Sequence, residues 1–137
     1  MNVLKLLAVL LSVMFFSVAH AGDKIKVGFI YVGPIGDHGW TYRHDIGRLD
    51  VEKHFGDKVE TVYLENVKYG PDAERAIRAM AKSGADIIFA TSFGYMEPML
   101  KVAKEFPNVK FEHATGYKQS DNMASYGLRL YQVRHVQ

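Results

Sequence analysis

The sequence predicts an α/β fold, an open parallel sheet with helices on both faces, and three observations carry that reading. Short runs rich in β-branched and aromatic residues alternate with longer segments of helical periodicity. Nearly every run stops at glycine, proline or a polar turn. The spacing leaves room for a helix between each pair of strands, so the connections read as right-handed crossovers in a sheet covered on both sides.

Taken in order, Met1 to Ala21 reads as a secretory signal. Lys5 supplies the charged start, Leu6 to Val18 is almost entirely apolar, and Ala19-His20-Ala21 is a small-x-small site, so cleavage is expected after Ala21. The apolar run falls short of the roughly 18–20 residues of a spanning helix. What remains, residues 22–137, is enough for one compact domain and not for two.

The first strand is expected over Ile25 to Val32, ending at Gly33-Pro34. A helix from Trp40 to Phe55 follows, closed by Gly56, with Tyr42, Ile46 and Leu49 expected to pack on the sheet. The second strand is Val59 to Leu64. The second helix is Pro71 to Ser83, with proline in its first turn, Asp72 and Glu74 near its positive end, and Gly84 at its stop. Its inward stripe is Ala73, Ile77, Met80 and Ala81. A third strand over Ala85 to Thr91 reads as the centre of the sheet. Ser92 to Tyr95 turns into a third helix ending near Phe106, and Val109 to Ala114 is a fourth strand. A short fifth strand lies within Met123 to Tyr131, and 131–137 reads as the start of a helix.

Composition narrows the function. The chain has no cysteine, which excludes disulfides, thiolate metal sites, a cysteine nucleophile and a lipidated cysteine. Its formal net charge is only +2 and no basic run stands out, so charge gives no support to a nucleic-acid or anionic-membrane partner. Gly-x-x-x-x-Gly-Lys-Ser/Thr, Gly-x-Gly-x-x-Gly and Gly-x-Ser-x-Gly are all absent. His38, His44 and Asp45 lack the spacing of a metal-binding helix, so no metal and no cofactor is expected.

All the loops able to bind something fall along one edge: Gly33 to Trp40, Glu65 to Gly70, Ser92 to Tyr95 and Thr115 to Asn122. The first is the richest, because it carries Gly33, Gly36, Gly39, Asp37 and the chain's single tryptophan, Trp40. An aromatic ring on a glycine-rich loop offers a flat apolar surface to a planar solute. Asp37 has two compatible roles, ligand contact and helix cap. Gly33 and Gly36 read first as turn residues. Binding is the leading class; a small exported hydrolase using Ser92 and His113 is the alternative.

Several segments, in this order, resemble one family: Lys26 to Tyr42 (KVGFIYVGPIGDHGWTY), Tyr63 to Val67, Thr91 to Tyr95, and Phe106 to Tyr117 (FPNVKFEHATGY). From Lys24 to about His135 the chain resembles the N-terminal lobe of the basic membrane protein family, substrate-binding proteins of ABC transporters related to purine-nucleoside receptors. The resemblance implies a type I periplasmic binding protein fold, in which two α/β lobes joined by a hinge close on a small solute and present it to a permease. It implies a periplasmic location, a purine base or nucleoside as solute, and no enzymatic activity. It places the first binding loop on Gly36 to Trp40, with Trp40 at a base-stacking position and Asp37 as its carboxylate, and the third-strand loop on Ser92, Phe93, Gly94 and Tyr95. Gly39-Trp40-Thr41 stands where nucleoside receptors carry a ribose-recognising amide, which leaves a free base or another aromatic solute equally open. Family proteins are more than twice as long, so the resemblance implies either a truncated or frame-shifted product or a lobe that has lost its closing half. The unfinished helix over 131–137 favours the first.

Overall fold

The computed structural model describes residues 24–129. The signal segment and the helix expected over 131–137 lie outside them. Five strands, β1 (Ile25–Ile30), β2 (Val59–Leu64), β3 (Ile87–Ala90), β4 (Lys110–Ala114) and β5 (Met123–Tyr126), form one sheet in the order β2-β1-β3-β4-β5. Every pairing is parallel. Three helices, α1 (Trp40–Phe55), α2 (Pro71–Lys82) and α3 (Met96–Glu105), supply the first three crossovers. The fourth, from β4 to β5, has no helix. It is held instead by Asn122, whose side-chain amide donates to the carbonyls of Ala103 in the last turn of α3 and of Phe106 and Val109 in the loop that leads from it to β4.

The two faces of the sheet are built differently. On one, Ile30, Ile88, Phe111 and Met123 meet Ile77 and Met80 of α2 and Met99 and Val102 of α3 in a single apolar core. Each fully buried side chain of this kind contributes about 1.5–3 kcal/mol. The stripe expected on α2, Ala73, Ile77, Met80 and Ala81, is the one that is buried.

The other face carries α1, and here the expected packing is wrong. Leu49 lies 47% exposed, Tyr42 and Ile46 are only half-buried, and the buried positions are Thr41, Asp45 and Arg48, one residue earlier along each turn. The cause lies in the sheet beneath. Tyr31, just past β1, is fully buried and donates its hydroxyl to Asp45 Oδ1 at 3.2 Å. Arg48 Nε donates to the same oxygen at 2.6 Å, and its Nη1 reaches Glu52 and Thr61 of β2, both at 3.0 Å. The guanidinium also lies 4.7 Å over the Tyr63 ring. A polar floor selects a polar helix face, because each of these groups would be costly to bury alone. Burial works against the Arg48 cation, but Asp45's hydrogen bond and charge outweigh it and the net shift is upward. Burial, followed by the Asp45 charge, pushes the Tyr31 hydroxyl well above its ordinary value, so it stays a donor.

Candidate functional site

The strand order reverses between β1 and β3, since β1 leads to β2 on one side and to β3 on the other. Chains leaving the carboxyl ends of those two strands diverge and open a crevice, where ligands of open α/β sheets bind. The loop after β1 and the turn after β3 flank it, and side chains from the neighbouring loops tie both down.

Asp37 ends a 3-10 turn over Ile35–Asp37. Its Oδ1 accepts from the backbone N–H of Gly39 at 2.7 Å and Tyr42 at 3.1 Å, and its Oδ2 accepts from Thr41 N–H at 3.3 Å. It therefore caps α1. These bonds, that from Gly39 foremost, hold its carboxyl below the usual carboxylate range. Gly36 lies exposed beside it with nothing within 4 Å of an added Cβ.

Trp40 opens α1 and reaches across the crevice, where its indole N–H donates to the Thr91 carbonyl at the end of β3. That bond fixes the ring while 37% of the residue stays open to solvent. His44, one turn on, lies 4.7 Å from the indole, centroid to centroid, and bonds the Trp40 carbonyl through Nδ1 at 2.8 Å.

The residues expected after β3 divide. Ser92 and Phe93 face the edge, with Phe93 54% exposed. Tyr95 does not: it is fully buried, and its hydroxyl donates to the Val67 carbonyl at 2.6 Å. Its place is under the loops, binding the second to the third. Gly94 leaves room for Tyr69, since a Cβ there would stand 2.5 Å from the Tyr69 ring. Tyr69 and Tyr117, which sequence reasoning did not single out, join the same edge at 52% and 72% exposure. Tyr117 lies 6.4 Å from the Phe93 ring, centroid to centroid. Both stand in loops the strand pattern assigns to this edge, so an aromatic residue in such a loop was the available signal.

Backbone strain marks the same place. The three non-glycine residues with left-handed φ among those described are His38 (51°), Asn66 (56°) and Thr115 (66°), one in each of three edge loops. Each costs about 1–3 kcal/mol, and a β-branched threonine is the least suited to it.

His113 is wholly buried. Its Nε2 donates to the Ser92 carbonyl at 2.8 Å, and its Nδ1 has no partner. Ser92 Oγ pairs instead with the Tyr69 hydroxyl, so serine and histidine do not form a nucleophile–base couple and the hydrolase alternative gains no support. Burial lowers the His113 pKa from its ordinary 6.5. The unfolded chain then binds the extra proton more readily, so stability is full above pH 6.5 and falls as the pH drops below it. Urea midpoints from pH 8 to pH 5 should show this fall, and His113→Asn should flatten it; an equal slope in both proteins would remove His113 from the account.

Among the described residues no group of three or more His, Asp or Glu side chains is placed to hold a metal ion, and no helix is long and apolar enough to cross a membrane. The surface hollow lined by Asp50, Val51, Lys53, His54 and Phe55 lies at the far end of α1 from this edge. Aromatic rings and capped turns gathered at the switch point of an open α/β sheet have the character of a ligand-binding lobe.

Sequence comparison gives the class its family. Residues 24–136 match the Bmp family model, described as ABC transporter substrate-binding protein PnrA-like, and the chain belongs to that family. A purine-binding protein of Brucella abortus is 61% identical over 119 residues, which cover 87% of this chain and 34% of that protein. A Haloferax volcanii protein described as an ABC transporter glucose-binding protein is 40% identical over 115 residues, 84% of this chain and 29% of that one. The fold is similar to that of an ABC transporter solute-binding protein from Conexibacter woesei, with a TM-score of 0.67 at 22% identity over 75% of this chain and 35% of the other. The chain thus spans about a third of the length of the curated relatives it matches.

Proposed function

We propose that residues 22–137 form the first lobe of an extracytoplasmic purine-binding protein serving an ABC importer, exported by the segment 1–21. The observation that carries this reading is Trp40, held at the switch point by Thr91 with part of its ring open. A purine base stacks on that ring, with Phe93 beside the same edge and Ser92 offering a hydroxyl. Gly36 and Gly94 keep backbone low around it, while Asp37 and Tyr95 hold the loops in shape. The 61% identity to a protein named for purine binding supports the choice of ligand.

In a two-lobed relative, closure over the solute supplies most of the buried surface and signals occupancy to the permease. One lobe alone offers a single stacking face and a few hydrogen bonds. The 137-residue chain should therefore bind adenine only weakly, with a Kd of about 1 mM. Trp40 reports this directly, being the chain's only tryptophan. Adenine and guanosine should quench its emission, and Trp40→Phe should weaken the binding seen by ligand-detected NMR. Quenching by glucose alone would move the solute to a sugar, and silence toward all three would remove the reading.

A further inference from the structure

We infer that Tyr69 and Ser92 form a preassembled hydroxyl pair that reads the polar edge of the solute, which makes Tyr69 a specificity-determining residue of this site. The inference rests on the proposed binding at the switch point and adds a residue to it from a loop that carries no earlier assignment. Tyr69 Oη lies 2.7 Å from Ser92 Oγ. The ring is held from two sides, edge-on to Tyr95 at 5.3 Å between centroids and packed close against Gly94, where a Cβ would stand 2.5 Å from it. Yet half of the residue stays exposed, an arrangement that fixes a side chain without hiding it.

The chemistry of two bonded hydroxyls is specific. One proton is shared between them, which leaves one free O–H donor and lone pairs on both oxygens. The pair therefore presents a donor and an acceptor side by side, with no formal charge. That matches an uncharged group with the same pairing, either the N–H and ring-nitrogen edge of a purine or the hydroxyls of a sugar. Neither member depends on a loop that must first become ordered. Ser92 is anchored through its carbonyl by the buried His113, and the preceding Thr91 is bonded to Ile30 and receives Trp40. The stacking ring of Trp40 and the hydroxyl pair are thus anchored to adjacent residues, Thr91 and Ser92, of one fixed turn.

Tyr69→Phe tests this in the 137-residue chain, because it keeps the ring against Gly94 and removes only the hydroxyl. Adenine, adenosine and glucose would be titrated at millimolar concentration by ligand-detected NMR, with the melting temperature of each protein as control. The expected result is affinity about fivefold to tenfold lower for at least one ligand, the loss of one hydrogen bond, with an unchanged melting temperature. A loss for adenosine alone assigns the pair to the sugar; an equal loss for adenine and adenosine assigns it to the base. Unchanged affinity for every ligand that wild type binds overturns the role of Tyr69 and leaves the purine reading intact. Binding of glucose alone, weakened by Tyr69→Phe, overturns the purine reading and leaves the hydroxyl pair. No binding of any ligand by wild type overturns both. Gly94→Ala supplies the second variant: it crowds the Tyr69 ring, so it should weaken the same ligands that Tyr69→Phe weakens, and a different pattern counts against the pair.

Discussion

Replacing Asp45 with alanine should cost about 3 kcal/mol of folding stability, a large share of what a domain of this size has. Asp45 meets both the Tyr31 hydroxyl and Arg48 Nε in the layer under α1, and no other carboxylate among the described residues does. The Asp45 and Arg48 side chains are 7% and 10% exposed, so water cannot replace what the substitution removes. Tyr31 is left with a buried donor and no acceptor. Arg48 keeps Glu52 and Thr61, which limits the loss to the lower end of what breaking a buried ion pair costs. For a domain near one hundred residues that is a fall in melting temperature on the order of 10–20 °C. The sharper comparison is a triple variant, Tyr31→Phe, Asp45→Leu and Arg48→Met, which removes all three polar partners together. It should recover most of the loss, because apolar groups of similar volume replace a buried ionic cluster at little net cost. Urea unfolding of the two variants decides the matter. A loss below about 1 kcal/mol for Asp45→Ala would show that the layer is hydrated rather than dry.

Gly116→Ala should have an effect of the same order, through the site rather than through α1. An added Cβ would stand 1.9 Å from His113 Nδ1 and 2.4 Å from its Cε1, and His113 has no exposed surface through which to yield. The ring must shift or the loop after β4 must lift. Overpacking of this kind costs about 1–3 kcal/mol, and a lost His113–Ser92 bond adds about 1 kcal/mol more. Because that bond anchors the turn carrying Thr91 and Ser92, Trp40 should lose its fixed acceptor as well. Two readouts then move together: the urea midpoint falls, and Trp40 emission shifts to the red even without ligand. A lower midpoint with unshifted emission would confine the damage to β4 and separate His113 from the crevice.

The fold was legible because its signals are local. The runs that form β1, β2 and β4 and the capping pattern of α2, proline first and glycine after, are read from neighbours in sequence, and the structure departs from them only at the ends. The inner face of α1 was not legible. Apolar periodicity points to Tyr42, Ile46 and Leu49, and nothing within the helix reveals that Tyr31 and Thr61 lay a polar floor beneath it. The partners of Arg48 lie across the sheet, beyond any local pattern. The candidate site divides in the same way. Its edge, its loops and the positions of Trp40, Phe93 and Ser92 follow from strand order. Which side chains bind each other does not, so Tyr95 going inward and Tyr69 coming outward emerge only when the second and third loops are brought side by side.

The sheet order also dictates a timetable. β1 is made first, yet its partners are β2 and β3, and Ile30 finds its match in β3 only at Ala90. No hairpin or adjacent strand can shelter the apolar run of β1 in the meantime, since parallel neighbours are always distant in sequence. Such pairings are slow to form because a long stretch of chain must be organised before they return any stability. β1 therefore emerges from the ribosome well ahead of both strands it pairs with. Under the export proposed for residues 1–21, that delay is an asset for threading through a membrane, and the same delay exposes β1 to aggregation wherever threading stalls.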